Sequence, residues 1–270
     1  MTDQREAEKK FKRLTEALAA YPSLLVAYSG GADSSFLLAT AAERVDGRVL
    51  AVTARSPLHP AHEEEAAETG ARYLGVEHVF VETDEMENPA FRLNPKDRCY
   101  ICKLGLMKRL VALAAEEGLS AVAEGTTADE ASGVRPGLRA CRELGAESPL
   151  LDVGLTKADV RYLGRELGVP GWDTPPGGCI ATRVPYGTEL TVGLLERIAE
   201  AETVIRSFGI AQVRVRTYPD GLARIEVEPD DFEVVLGPAA LRKIRERLHE
   251  LGYKYVTLDL DAFRSGSMDS

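Results

Sequence analysis

The sequence predicts an α/β protein: a doubly wound parallel sheet with a smaller C-terminal α+β domain. Three observations carry that prediction. Apolar runs of strand length alternate with helical runs through the first part of the 270-residue chain, the pattern of parallel βαβ units. A Gly-rich turn lies directly after the first apolar run and directly before a helical pattern. Near Thr188 the composition shifts, and a helix, two strands, a helix and a last strand follow in the order of a separate α+β unit. We place the domains at 1–187 and 188–270.

Taken in order, residues 4–20 set Phe11, Leu14, Leu18 and Ala19 at helical spacing among charges, an amphipathic helix. Leu24-Leu25-Val26-Ala27 is a buried parallel strand, and Phe36-Leu37-Leu38-Ala39 begins a helix that runs through Ala42. Residues 48–54 make a second apolar strand, with Pro57 and Pro60 marking the loop beyond it. A helix over 62–74 and a third strand over 77–83 follow. Residues 84–97 read as irregular, with Asn88-Pro89 and Asn94-Pro95 as breakers. A long helix runs from Arg98 to a cap at Gly118, and residues 121–127 form the fourth strand. Thr156-Lys157-Ala158-Asp159 opens another helix with a capping threonine and an acidic first turn. Pro170-Gly171 and Pro175-Pro176-Gly177-Gly178 form a connector. Beyond it we expect a helix over 192–208, strands over 212–218 and 222–228 joined at Pro219-Asp220-Gly221, a basic helix over 238–251 and a strand over 253–260.

The turn reads Ser29-Gly30-Gly31-Ala32-Asp33-Ser34-Ser35. Strand, glycines and helix start aim backbone N–H groups and the positive end of a helix dipole at one point, an anion site. Glycine lets a phosphate approach the backbone closely, and the serines add hydroxyl donors. No Gly-Lys-[Ser/Thr] follows, so this is not the Walker loop. Ser-Gly-Gly-x-Asp-Ser resembles the pyrophosphate loop of the PP-loop ATP pyrophosphatases, whose fold is adenine-nucleotide α-hydrolase-like. The resemblance implies that ATP is cut to AMP and pyrophosphate, with Asp33 helping to hold Mg²⁺. A plainer reading is a helix N-cap after a tight turn. Ligands of such sheets bind at the carboxyl ends of strands, which brings in Gly125 of Gly125-Thr126-Thr127 and the Ser56 region. Asp129 is a second metal candidate or a helix cap.

A net charge of −10 argues against bulk nucleic-acid binding, while leaving room for a small anion in a local basic pocket. Met1 to Arg13 is polar and no apolar run is long enough for a bilayer. A cytoplasmic protein with no membrane partner is expected. Four cysteines are too few and too unevenly placed for a disulfide scaffold.

Cys99 and Cys102 form a Cys-x-x-Cys at a helix start, beside Arg98 and Lys103, a setting that favours thiolate. The motif alone allows half a zinc site, a redox pair or part of an iron–sulfur site. Cys179 lies in a Gly/Pro loop four residues before Arg183 and is expected to be accessible. Cys141 sits on a helical face and reads as core. Three thiolates on a 4Fe–4S cluster leave one iron open for a sulfur or a substrate, so Cys99, Cys102 and Cys179 are candidates for that role.

Further segments carry a closer resemblance. Arg98-Cys-Tyr-Ile-Cys-Lys103, Glu124-Gly-Thr-Thr-Ala-Asp129, Arg135-Pro-Gly137, Trp172-Asp173, Cys179-Ile-Ala-Thr-Arg183, Val213-Arg-Val-Arg216, Ala223-Arg-Ile-Glu226 and Arg264-Ser-Gly-Ser-Met268 resemble the LarE family across nearly the whole chain. The resemblance implies an ATP-dependent sulfur transferase. It would adenylate a carboxylate of pyridinium-3,5-biscarboxylic acid mononucleotide and convert it to a thiocarboxylate, in biosynthesis of the nickel-pincer nucleotide cofactor of lactate racemase. In the single-cysteine branch the residue matching Cys179 gives up its own sulfur. With Cys99 and Cys102 also present, this chain is similar to the three-cysteine branch, in which a 4Fe–4S cluster carries the extra sulfide. A homohexamer with substrate at subunit interfaces is implied as well.

The substrate of such an enzyme carries two carboxylates and a phosphate and needs arginines. Arg214 and Arg216, two apart on one strand, face the same side and make an anion clamp; the plainer reading pairs them with Glu226 or Glu228 across the hairpin. Glu202, matching a family acidic position, is a candidate to orient an arginine. Arg183 is placed to stabilise the Cys179 thiolate or the acyl-adenylate. The competing readings are a tRNA thiolase of the same superfamily, an ammonia-using amidotransferase or NAD synthetase, a non-catalytic nucleotide-binding regulator and a structural zinc protein.

Overall fold

The structure, a computed structural model, describes residues 4–130, 136–175, 177–264 and 268. Arg135, Pro176 and residues 265–267 of the segments above lie outside that set. The elements are α1 (Gln4–Leu18), β1 (Leu24–Ala27), α2 (Ala32–Arg44), β2 (Val49–Arg55), α3 (Ala61–Tyr73), β3 (Glu77–Glu82), α4 (Pro89–Arg92), α5 (Arg98–Glu116), β4 (Val122–Ala123), α6 (Pro136–Glu143), α7 (Pro149–Asp152), α8 (Lys157–Glu166), α9 (Val192–Arg206), β5 (Val213–Thr217), β6 (Leu222–Val227), α10 (Phe232–Leu236), α11 (Pro238–Glu250) and β7 (Tyr255–Leu258). Two compact units emerge: Met1–Ser56, Ala61–Glu85 and Asp97–Gly177 form the first, and Pro57–Pro60, Met86–Lys96 and Gly178–Ser270 the second. The long segment of the second unit thus begins ahead of the composition shift at Thr188.

In the first unit the strands run parallel in the order β3-β2-β1-β4. Successive side chains of a strand point to opposite faces, and both faces here are covered. Leu24, Val26 and Ala51 pack with Leu14, Leu18, Phe36 and Leu37. Leu25, Leu50 and Val52 pack with Met107 and Leu110 of α5 and with Cys141 of α6. A strand buried on both sides reads as a continuous apolar run, which is why β1 and β2 were visible in the sequence. Complete burial of each leucine contributes about 2 kcal/mol. The sheet is doubly wound, as expected.

Two segments depart from expectation. The fourth strand pairs with β1 only at Val122 and Ala123, not over 121–127. Beyond Ala123 the Glu124 N–H bonds the Glu147 carbonyl at 2.9 Å, and its buried carboxylate accepts from the hydroxyls of Thr126 and Ser148, both at 2.7 Å. A buried carboxylate needs those donors, and they draw the chain away from the ladder. Within 84–97, Asn88-Pro89 starts α4 instead of breaking the chain: Asn88 Oδ1 accepts from the Ala90 N–H at 2.9 Å, with proline at a first-turn position where no N–H is needed.

The second unit is a three-stranded sheet in the order β5-β6-β7, antiparallel at the hairpin and parallel at β7. Helices α9 and α11 supply Ala201, Ile205, Ile244 and Leu248 to its core. Among the described residues no helix is long and apolar enough to cross a membrane.

Candidate active site

The anion loop begins where β1 ends. Thr53 Oγ1 donates to the Tyr28 carbonyl at 2.7 Å, tying the residue just after β1 to β2. Gly30 follows at φ 74°, in the left-handed region, and a Cβ there would meet the Ala67 N at 2.9 Å; both facts require glycine. Gly31 is the N-cap of α2 and makes no side-chain cap bond. The serines and Asp33 of the motif are therefore not acting as an ordinary cap. Ser34 organises the loop instead: its Oγ donates to the Gly31 carbonyl at 3.1 Å, accepts from the Ser29 N–H at 3.2 Å and lies 3.1 Å from Ser29 Oγ. Ser35 is buried, and its hydroxyl faces Tyr28 Oη at 3.5 Å. Gly125 comes from the end of β4 onto the start of α2, where a Cβ would lie 3.1 Å from the Ser34 N. Ser56, buried at the end of β2, is hydrogen-bonded to Glu85.

Asp33 is in the first turn of α2. Burial pushes its carboxyl up to about 6, and the neighbouring Glu130 and Asp129 push the same way, against Lys157 and Arg161. Lys157 Nζ lies 3.0 Å from Glu130 and 3.9 Å from Asp33. Asp129 receives the Lys157 backbone N–H at 3.1 Å, adding to the Thr156 cap of α8. The sequence marked this stretch only as a helix start. The fold turns it into a cation beside the loop, which has no lysine of its own. A loop of the non-Walker kind was the one available signal that a cation had to come from elsewhere.

Cys99 and Cys102 occupy the N-terminal turns of α5, one turn apart, the first exposed and the second half-buried. Cys141 is fully buried among the apolar side chains between α5, α6 and the sheet, and burial raises its thiol to about 11; the core reading holds. No disulfide joins any of the four cysteines.

The second unit holds Cys179, Arg183, Glu202, Arg214 and Arg216. Arg183, only 1% exposed, meets Glu202 with Nε–Oε1 at 2.8 Å and Nη2–Oε2 at 3.3 Å. Its Nη1 donates to the carbonyls of Gly178 and Cys179 at 2.7 and 3.0 Å and to Thr182 Oγ1 at 2.9 Å. Half-buried Cys179 is thus positioned through its backbone. Glu202 also binds Arg206 at 2.9 Å and accepts the Val215 N–H at 3.1 Å. Burial disfavours its charge, yet Arg183, Arg206 and Arg214 outweigh burial and hold its pKa down. Arg214 and Arg216 are both buried. Arg216 pairs with Glu226 at 2.8 Å, across the hairpin as the plainer reading had it, and donates to the Thr182 carbonyl at 2.9 Å. Burial, with Arg183 and Arg216 near it, lowers the Arg214 guanidinium to about 10. Among the described residues Arg183, Arg206, Arg214, Arg216 and Arg224 gather around Glu202, Glu226 and Asp259, an excess of positive charge suited to an anion.

Cys99 and Cys102 belong to the first unit and Cys179 to the second. Among the described residues no group of three or more His, Cys, Asp or Glu side chains is arranged to hold a metal ion.

A parallel doubly wound sheet with a Ser-Gly-Gly-x-Asp-Ser loop at the end of its first strand defines the PP-loop class of ATP-utilising proteins. In agreement, the asparagine synthase family model matches residues 14–153. A protein of Lactiplantibacillus plantarum, pyridinium-3,5-bisthiocarboxylic acid mononucleotide synthase, is 37% identical over 261 residues, 95% of this chain and 92% of that protein. An uncharacterised Synechocystis protein is 37% identical over 262 residues, 97% of each chain, and one from Methanocaldococcus jannaschii is 28% identical over 243 residues, 90% of this chain and 91% of that protein. The chain belongs to the LarE family.

Proposed function

We propose that this protein is an ATP-dependent sulfur transferase that adenylates a carboxylate of pyridinium-3,5-biscarboxylic acid mononucleotide, forming AMP and pyrophosphate, and converts that carboxylate to a thiocarboxylate for the nickel-pincer nucleotide cofactor of lactate racemase. The observation that carries the reading is the 37% identity, over 95% of the chain, to the bisthiocarboxylic acid mononucleotide synthase.

A carboxylate is a poor electrophile because its leaving group would be oxide. Attack of a carboxylate oxygen on the α-phosphorus expels pyrophosphate and gives an acyl-adenylate. A sulfur nucleophile then adds to the acyl carbon, and AMP departs with the C–O electron pair. Charge must be neutralised at the phosphates during the first step. In this reading Ser29, Gly30, Gly31, Ser34, Ser35 and Gly125 form the pyrophosphate cradle, and Lys157 contributes the cation next to it. Asp33 is the Mg²⁺ residue. Its raised pKa of about 6 suits that role, because a buried carboxylate with acidic neighbours gains from a divalent cation. Arg214 and Arg216 bind the anionic groups of the nucleotide, Glu202 orients Arg183, and Arg183 orients the Cys179 backbone.

In this reading the cluster ligands are Cys99, Cys102 and Cys179, which are exposed or half-buried, whereas Cys141 is sealed in the core. Those three residues would hold the cluster, and it would supply an iron open to sulfide. Cys179 is then retained, not consumed. A cytoplasmic homohexamer, with sulfide or a sulfur-donor protein as partner, completes the proposal.

The test is pyrophosphate release from ATP·Mg²⁺ by anaerobically reconstituted protein, with and without the mononucleotide, together with iron and sulfide analysis. Release that requires the mononucleotide, and a brown absorption lost in Cys179→Ala, are expected. Release indifferent to the mononucleotide would sink the transferase reading; bound zinc instead of iron would sink the cluster.

A further inference from the structure

The chain after β7 folds back onto the arginine cluster. The Asp259 N–H bonds the Ile225 carbonyl at 2.8 Å, and the Phe263 N–H bonds the Val227 carbonyl at 2.9 Å. Between them Asp259 Oδ1 accepts the Asp261 N–H at 3.0 Å, while Asp259 Oδ2 lies 3.4 Å from Arg224 Nε. Ala262 sits at φ 62°, a left-handed conformation that costs a non-glycine residue of order 1 kcal/mol. Ala262 is also buried. The next residue, Phe263, has its ring over Arg214, with the guanidinium carbon 5.3 Å from the ring centroid, within cation–π range.

We infer that Phe263 is a positioning residue of the anion site: its ring holds the Arg214 guanidinium in the orientation that receives an anionic group of the nucleotide. The inference rests on the proposed role of Arg214. Arginine has a long, rotamer-rich side chain, and a fixed aromatic face lowers the entropy lost when it engages an anion. A cation–π contact uses the face of the guanidinium and leaves its N–H donors in the plane, where Arg214 Nη1 donates to the Val213 carbonyl at 2.9 Å. Arg214 is buried and beside other arginines.

The Nε–H resonance of Arg214, assigned by its loss in Arg214→Lys, reports on this site alone in ¹⁵N-arginine-labelled protein titrated with inorganic phosphate. Phe263→Leu keeps an apolar side chain and removes the π face; Phe263→Tyr keeps the ring. We expect Phe263→Leu to shift the resonance through loss of the ring current and to raise the half-saturating phosphate concentration about fivefold. Phe263→Tyr should titrate like the parent. The melting temperature of each variant, read alongside, separates misfolding from repositioning. Equal half-saturation in the parent and Phe263→Leu, or no phosphate response in the parent, overturns the inference. A fivefold loss in a protein that shows no mononucleotide-dependent turnover leaves Phe263 in its role and overturns the transferase reading instead.

Discussion

Arg183 meets the two carboxylate oxygens of Glu202 at 2.8 and 3.3 Å while both side chains are sealed from solvent. One glutamate thereby fixes the guanidinium whose remaining nitrogen reaches the carbonyls of Gly178 and Cys179, which flank the Cys179 α-carbon. A buried pair of this kind is stabilising only while complete.

Glu202→Gln leaves Arg183, Arg206 and Arg214 facing one another without their shared anion. We predict a loss of about 3–5 kcal/mol in urea unfolding at neutral pH. Because the folded-state pKa of Glu202 is held low, its contribution is complete above the ordinary carboxylate range and fades as pH falls through the folded pKa. Parent and variant stabilities should therefore converge on acidification. A variant as stable as the parent at neutral pH would remove the pair from the account.

Asp33 works in the opposite sense. Its pKa, raised from 3.8 to about 6, means that the folded protein without ligand takes up a proton between those values. Stability falls across that window and stays lower above it. We predict that Asp33→Asn raises the melting temperature at pH 8, leaves it unchanged near pH 4, and lowers ATP-dependent pyrophosphate release at least 100-fold. In the parent, release should rise with pH through about 6 as Asp33 ionises.

Lys157→Ala should reduce pyrophosphate release about 10- to 100-fold while the fold is retained, since the side chain is half-exposed and contributes to charge at the phosphates. Its loss also removes the cation nearest Asp33, so the pH profile should move to higher pH. A fall in rate with an unmoved profile would place Lys157 away from Asp33 in the working enzyme.

Cys141, buried and lifted to about 11, should resist iodoacetamide at pH 8 until the protein unfolds, while Cys99, exposed on α5, labels first. Mass spectrometry of peptides after timed alkylation separates the two.

These residues also show what the sequence could reveal. The strands of the first unit were legible because burial on both faces makes them continuous apolar runs, and the loop because its glycines and serines follow one of those runs directly. The length of β4 was not legible: whether Glu124 continues a strand depends on Ser148 and Glu147, which only the fold brings to it. Arg214 and Arg216 were legible as a same-face pair, but their neighbours were open, since Glu226 and Glu228 were equally plausible partners across a hairpin. Lys157 and Phe263 went unseen for a common reason. Each acts on a residue far away in the chain, Asp33 and Arg214 respectively, and no local pattern encodes that meeting.

When ATP drives the exchange of a carboxylate oxygen for sulfur, the nucleotide changes mass. The most direct measurement is mass spectrometry of the mononucleotide, and of the peptide containing Cys179, after incubation of reconstituted protein with ATP·Mg²⁺ and sulfide. We expect a nucleotide heavier by the difference between sulfur and oxygen, several turnovers per chain, and an intact Cys179. An unchanged nucleotide despite ATP cleavage would contradict the exchange, and one turnover with Cys179 converted to dehydroalanine would contradict its sulfur source.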